Sequence, residues 1–570
     1  MQVLKKKAAA MVVSAATRLF APATLTEAEV LDMLEYPPDT AMGDLALPCF
    51  KLSRSLRRAP VQIAAVLAEA LSDEDFSSIE AVNGYLNFKK DASAFAARIV
   101  NTVLAKGESY GSPACGAGKT VVLDYSSPNV AKPFHIGHLG TTVIGHSLKL
   151  LHEFAGYSCV GINHLGDWGT QFGKLIVAYR KWGNREEIEK NEIDALVALY
   201  VRFHSEAEAD LSLNDEARAE FAKLEAHDEE NLALWRWFIE ISLREYQKTY
   251  KMLNISFDSY NGESFYTDKM PRQIEKMKEM NLLQLDDGAS VVNLEEWNMP
   301  PCLILKRDGS TLYPTRDIAA AVYRKEHYNF DKCIYVTSAG QSLHFAQWFK
   351  VVELMGYDWH DGLLHVPYGT VSINGAKLAT RTGNVILLKD LFAMAIDKVK
   401  AIMQEKGSST ADNDTVAEQV GVGAIIFYYL SNNRMRDINF MLEDALTFDG
   451  NTGPYAQYTY ARTCSILEKA GDKGRAVAPI AMCAEEAELA RVLSLFPEKV
   501  EAAIAESEPS LITRYILDLC AAFNRFYHEC KILTAEEEAV AENRLAFTRA
   551  AQTVLGTALR LICMPTPEKI

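Results

Sequence analysis

The 570-residue sequence lacks the patterns that staple or anchor a chain from outside its core. Its ten cysteines include no Cys-x-x-Cys pair and no Cys/His group at zinc-ligand spacing. They therefore read as reduced thiols, and no structural metal is expected. No apolar run reaches bilayer length, so no membrane-spanning helix is expected. No internal repeat is visible, which removes solenoids and propellers. Positive charge is also short, with 59 Lys and Arg against 75 Asp and Glu and a formal net charge of −16. A globally basic nucleic-acid binder is thereby excluded. Nucleic acid itself is not, because the local potential of one groove decides binding, and much of the acid lies between Glu186 and Glu230. Residues 1–20 carry three lysines ahead of an Ala-rich stretch interrupted by Arg18. They read as an amphipathic helix rather than a cleaved leader.

What remains is an ordinary globular composition, 49% hydrophobic and 24% charged, with length for two to four domains. Residues 1–112 read as an α+β module. Leu45–Phe50 is a short apolar run, a basic turn 53–58 precedes a helix over 60–71, and Asn83-Gly84 sits between alternating residues as a hairpin signal. Gly107–Gly118 reads as a linker. Residues 113–410 read as α/β, with buried strands expected at Val121–Tyr125, Ser158–Ile162, Leu303–Leu305 and Cys333–Thr337. A charged helical excursion, about 186–253, interrupts them. A doubly wound sheet with ligands at the carboxyl ends of its strands fits this order. From about 411 the chain reads as helical. Within 514–533, Ile516, Leu519, Phe523, Phe526, Tyr527 and Cys530 fall on one face, and Phe547–Ile562 is similar with Arg549 and Arg560 off the face.

The chemistry concentrates in Val121–Ser147. A buried strand ends at Tyr125, two prolines and an Asn break the chain, and helical spacing begins at Ile136. A strand, a tight loop and a helix start carrying His135, Gly137 and His138 make a phosphate-handling layout. Helix N-termini offer free N–H groups, glycine permits close approach, and imidazoles donate to phosphate oxygens. Two histidines on a core helix are the structural alternative.

Longer motifs carry more. Ser126-Ser-Pro-Asn-Val-Ala-Lys-Pro-Phe-His-Ile-Gly-His138 resembles the nucleotide-binding signature of class I aminoacyl-tRNA synthetases, in the extended form of arginyl-tRNA synthetases. Further matches follow in family order at 163–175, Leu312-Tyr-Pro-Thr-Arg-Asp-Ile-Ala-Ala-Ala321, Gln341-Ser-Leu-His344, Gly453-Pro-Tyr-Ala-Gln-Tyr458 and 521–528. The resemblance spans essentially the whole chain. It implies a multidomain protein: an α/β, Rossmann-like, doubly wound catalytic domain with helical insertions, the N-terminal α+β module, which would bind tRNA, and a C-terminal all-α anticodon-binding bundle. The implied reaction joins L-arginine to ATP, with Mg²⁺, and passes arginine to the 3′ end of its cognate tRNA. The resemblance further implies that bound tRNA is needed even for activation and that the protein is a monomer, while the reduced thiols point to the cytosol.

By this resemblance His135, Gly137 and His138 hold ATP. Asp124, Tyr313 and Asp317 face the guanidinium, a planar fork of donors that suits two carboxylates. Ser127, Asn129 and Gln341 hold the α-amino and α-carboxylate end. Asp317, just before Ile318-Ala-Ala-Ala, also reads as a helix N-cap. The second class I signature, normally Lys-Met-Ser-Lys-Ser, corresponds to Ala376-Lys-Leu-Ala-Thr-Arg-Thr-Gly383. Lys377 matches the first lysine, Thr380 replaces the second, and Arg381 adds charge beside it. Members lacking that lysine tend to carry one just before the first signature, and Lys132 fits. For tRNA, Tyr455, Tyr458 and Arg462 match the anticodon side, and Tyr85 and Asn87 the N-terminal strand that meets the elbow. The chain ends in Ile570 where members commonly end in methionine. Two other readings stand beside this one. A small adenylyltransferase also uses His-x-Gly-His but has no need of the helical C-terminal part, and a silent RNA-binding paralogue would explain only the degenerate second signature.

Overall fold

The computed structural model describes residues 1–20, 25–39, 42–73, 75–373, 376–377, 387–405, 413–448, 450–471 and 473–570. The amino-terminal module contains an antiparallel sheet of order β1-β3-β2, from β1 (Leu45–Pro48), β2 (Phe76–Val82) and β3 (Tyr85–Lys90). The β2–β3 link is Asn83-Gly84, with φ of 49° and 84°. Two left-handed residues match the twist of paired strands, and Asn and Gly tolerate that region at least cost. Helices Gln2–Leu19 and Pro60–Ala70 close over the buried Leu86 and Phe88. The helix Ala92–Lys106 then leaves this module and packs on two helices of the carboxyl-terminal bundle, Ala484–Leu493 and Glu538–Leu561.

Two strands of the central sheet come next in the chain, β4 (Thr120–Asp124) and β5 (Ser158–Ile162). Three helices, Arg185–Ala209, Ser212–Glu225 and Glu229–Met252, form the charged excursion and bury their own core around Leu196, Phe203 and Phe238. A separate antiparallel meander follows: β6 (Leu283–Asp286), β7 (Ala289–Val292) and β8 (Cys302–Leu305). Leu303–Leu305, expected in the parallel sheet, belongs to this meander. A short apolar run signals burial but not which sheet it joins. Here the run pairs antiparallel with Ser290–Val292 of β7, which the Asp287-Gly288 hairpin, with both residues at positive φ, joins to β6.

The parallel sheet is completed by β9 (Lys332–Ser338) and β10 (Leu363–Tyr368), in the order β10-β9-β4-β5 with every pair parallel. β4 feeds β5 on one side and is flanked by β9 on the other. The connections diverge at this pair, so the carboxyl ends of β4 and β9 open a crevice, which is where open parallel sheets bind ligands.

Three short strands, β11 (Val371–Ile373), β12 (Ala376–Lys377) and β13 (Ile438–Phe440), join the central domain to the bundle, with β11 parallel to β13. The wholly helical reading after 411 is corrected there. Beyond β13 the chain is helical, ending in Ser510–Glu529 and Glu538–Leu561. Ile516, Leu519, Phe523 and Phe526 are fully buried, but Tyr527 is 39% exposed and faces outward. Its position, one residue past Phe526, rotates it about 100° from that residue, to the margin of the apolar stripe.

Candidate active site

The loop after β4 is held in a strained form. Ser126, Ser127 and Ala131 have φ of 69°, 45° and 59°, each costing on the order of 1–3 kcal/mol. A dense hydrogen-bond network offsets that cost. Thr141 Oγ1 accepts from the Ser126 N–H at 3.0 Å, and Tyr250 OH lies 2.7 Å from Ser126 Oγ and 2.9 Å from Asn163 Nδ2. The excursion helix Glu229–Met252 contributes more: Ser242 Oγ accepts from the Ala131 N–H at 3.0 Å. Tyr246 OH stands 2.8 Å from the Asn129 carbonyl and 2.7 Å from that of Lys132, sharing one proton between them. The long insertion thus serves as a clamp on the loop. Gly166 has a similar purpose, since a Cβ there would stand 2.2 Å from Asn129 Oδ1.

At the head of the next helix, His135 and His138 bracket a 3-10 turn, Ile136–His138, ahead of Leu139–Phe154. The Gly137 N–H donates to His135 Nδ1 at 3.0 Å, and the His135 N–H donates to His138 Nδ1 at 3.2 Å. Both Nδ1 atoms accept, so each neutral ring carries its proton on Nε2. Burial holds His138 down at about 3 and His135 below its usual value, and the Lys132 ammonium lowers both further. Two neutral N–H donors result, with no cationic charge of their own. Lys132 is exposed beside them.

A cavity of about 490 Å³ lies at the β4/β9 crevice. Asp124, Ser127, Asn129, Tyr313, Asp317 and Gln341 all line it, together with His138. Lys132 and His135 are not among its lining residues. Lys377 lies on β12 with its backbone opposite Ser372, while Thr380 and Arg381 fall outside the described residues.

Three carboxylates stand on the cavity wall, and their partners differ. Asp124 Oδ2 pairs with Arg324 Nη2 at 2.8 Å, and its Oδ1 accepts from Ser127 Oγ at 2.9 Å. Arg324 is fully buried, with the rings of Tyr266 and Tyr335 over its guanidinium at 5.9 and 5.4 Å. Glu263 pairs with Arg316 at 2.6 Å, yet burial outweighs the arginine and raises its carboxyl to about 7. Asp317 has no arginine partner among the described residues; its Oδ2 lies 2.6 Å from His344 Nε2. The helix carrying it begins at Tyr313, with Leu312 as N-cap and Pro314 in the first turn. Asp317 therefore sits in the second turn, and the N-cap reading is corrected: Pro at the second helical position marks the true start.

Arg324, Glu263 and Arg316 escaped the sequence reading. Arg324 lies about two helical turns after Asp317 on the same face, whereas Arg316, the immediate neighbour of Asp317, points off that face; no local signal marks Arg324 as buried.

On the bundle, Tyr455 is half-buried and its OH accepts from Asn524 Nδ2 at 2.9 Å. Tyr458 is 44% exposed. The Arg462 guanidinium lies between the Tyr458 and Tyr527 rings, 5.0 and 4.8 Å from their centroids, and donates to Asn524 Oδ1. Tyr85 stands edge-on to Phe50 at 5.4 Å on the N-terminal sheet, and Asn87 pairs with Ala46 and Glu80 in register.

Comparison with known proteins identifies the domains and the family. Three family models fit in order: the arginyl tRNA synthetase N-terminal domain over 4–89, the class I (R) tRNA synthetase catalytic domain over 99–442, and the DALR anticodon binding domain over 456–570. The arginine–tRNA ligase of Alkaliphilus metalliredigens is 48% identical over 545 residues, 95% of this chain and 96% of that protein. That of Clostridioides difficile is 49% identical over 549 residues, 96% of this chain and 97% of the relative. The solved arginyl-tRNA synthetase of Thermus thermophilus has the same fold end to end, with a TM-score of 0.83 at 24% identity and 100% of both chains covered. Near-half identity over almost the whole length, together with three family domains in order, places the chain in the arginine–tRNA ligases, a family of class I tRNA synthetases.

Proposed function

We propose that this arginine–tRNA ligase activates L-arginine with ATP in the crevice between β4 and β9, then passes the arginyl group to the 3′ end of its cognate tRNA. The observation that carries the arginine assignment is the uneven pairing of the three wall carboxylates. Asp124 is matched by the buried Arg324 and Glu263 by the half-buried Arg316, while Asp317 meets only a histidine. Asp317 is thus the wall carboxylate left open to a substrate cation. In this reading Asp317 is the main guanidinium anchor, with Tyr313 and the free lone pairs of Asp124 beside it, and Arg324 sets where those lone pairs point. Ser127, Asn129 and Gln341 take the amino-acid backbone end.

ATP enters with its Mg²⁺ as substrate, against the Nε2–H donors of His135 and His138. Neutral donors stabilise phosphate less than cations do, so Lys132 supplies the charge there, with Lys377 from β12 and Thr380 and Arg381 beyond it. For tRNA, Tyr458 and Arg462 form the anticodon-side platform, Tyr455 supports it, and Tyr85 and Asn87 lie on the elbow side. No helix among the described residues is long and apolar enough to cross a membrane; the cytoplasm and a monomeric state complete the proposal.

ATP–pyrophosphate exchange with purified protein tests the reading. Exchange should require arginine and appear only when cognate tRNA is present. Absence of exchange under both conditions would overturn activation at this site, and exchange driven by another amino acid would overturn the carboxylate assignment. Within it, Asp317→Asn should raise the arginine KM at least about tenfold, since a charge-assisted hydrogen bond is worth roughly 1.5–3 kcal/mol. Steady-state charging at saturating ATP reads the change, and an unaltered KM would remove Asp317 from the arginine site.

A further inference from the structure

Cys483 and Cys530 are separated by 47 positions in the sequence, and their Sγ atoms lie 3.3 Å apart. Cys483 precedes the helix Ala484–Leu493, and Cys530 follows the last residue of Ser510–Glu529. Both are free thiols. A carboxylate oxygen of Glu485 lies within 4.8 Å of both sulfurs, and this is the one such metal-competent group among the described residues. Two chemistries use such a cluster, a soft metal ion or a disulfide, and the ligand set separates them. A structural zinc site takes four protein ligands, and only three candidates gather here among the described residues, while a disulfide needs the two sulfurs alone. Zinc–sulfur bonds of about 2.3 Å at tetrahedral angles hold two thiolates about 3.8 Å apart. The observed 3.3 Å lies between that spacing and the disulfide bond of about 2.05 Å, which asks for about 1.3 Å of further approach shared by two side chains.

We propose that Cys483 and Cys530 form a thiol–disulfide exchange site, oxidised by small disulfides of the glutathione class. Cys530 is 4% exposed, whereas Cys483 is only half-buried, so Cys483 is the sulfur a small disulfide reaches. Its thiolate attacks one sulfur of that disulfide and breaks the S–S bond. A mixed disulfide forms, and one small thiol leaves with the proton that Cys483 gave up. Cys530 then loses its proton and attacks Cys483 Sγ, which closes the internal disulfide and releases the second small thiol. The two protein thiols have lost two electrons, and one small disulfide has become two thiols. Burial pushes Cys530 up to about 12 and Cys483 above its ordinary value, so both steps quicken as pH rises. The bond would join the start of one bundle helix to the end of another, close to the exposed Tyr527.

The test uses the full-length protein, metal-free, equilibrated with glutathione mixtures from reducing to oxidising, then acid-quenched, denatured, alkylated and peptide-mapped. Cys483 and Cys530 should leave the alkylated pool together. Their cross-linked peptide should weigh two hydrogen atoms less than the two thiol peptides combined, and dithiothreitol should restore both. In Cys483→Ser, a mild change at a half-buried position, Cys530 should stay alkylatable at every ratio. In Cys530→Ser, Cys483 should stop at the mixed disulfide. Three results would overturn the proposal: both thiols free at the most oxidising ratio, Cys483 held in the parent only as a mixed disulfide, or one equivalent of Zn²⁺ protecting both thiols of the reduced protein from alkylation. The last would make the cluster a metal site.

Discussion

In arginine-dependent ATP–pyrophosphate exchange, Lys132→Ala is expected to run about a hundred- to a thousandfold slower than the parent, at nearly unchanged thermal stability. That magnitude is what removal of one preorganised donor at a developing anionic centre typically costs. Two features of the chain concentrate the burden on this lysine. The second signature keeps Lys377 but carries Thr380 where the other lysine is usual, and the two histidines are neutral Nε2–H donors held so by their own backbone bonds. Lys132 is already near enough to lower both imidazoles. Its ammonium is exposed, while its carbonyl is fixed 2.7 Å from Tyr246 OH. Alanine therefore removes charge without disturbing the loop, and the melting temperature should move by no more than a degree or two. Lys132→Arg should recover part of the rate, because charge returns with altered geometry. A near-parental exchange rate in Lys132→Ala would end the proposal that it replaces the missing lysine.

What the sequence disclosed of this site, and what it hid, follows a physical line. Local signals were legible. A β-branched run made β4, Asn-Gly made the β2–β3 turn, and proline-broken spacing marked the loop between Asp124 and His135. Asp124, Ser127, Asn129, Tyr313, Asp317 and Gln341 line one cavity with His138, whereas Lys132 and His135 stand outside its lining. Long-range choices were not legible. Leu303–Leu305 is as apolar as a parallel strand, and only its partners Ser290–Val292 decide its sheet. The edge strand β10, Leu363–Tyr368, carries His, Pro and Tyr that blur any strand pattern. Arg324 sits in the helix Tyr313–Tyr328 among ordinary charged residues, and nothing local says that it alone of them is fully buried. Cys483 and Cys530 likewise meet only because two helices end side by side. Burial of polar groups is a property of the assembled fold, and those groups decide the electrostatics of the crevice.

Arg324→Met carries the largest expected effect on stability, about 3–5 kcal/mol lost in urea unfolding, because it strands a buried carboxylate. Asp124 is 7% exposed and Arg324 is 0% exposed. With the guanidinium gone, Asp124 keeps only the Ser127 hydroxyl, which cannot replace a cation at 2.8 Å. Methionine fills much of the same volume, so the loss reflects charge rather than a void. The double variant Asp124→Asn/Arg324→Met separates structure from substrate. Replacing both members of a buried pair by neutral groups is often close to neutral, so the double variant should regain most of the lost stability. Its arginine KM should nevertheless stay at least about tenfold above the parent, since the oriented carboxylate beside Asp317 is missing. If the pair were structural alone, stability and arginine KM would recover together. An Arg324→Met single variant within about 1 kcal/mol of the parent would show that Asp124 is relieved by water or by a proton, and that the buried guanidinium does not set its orientation.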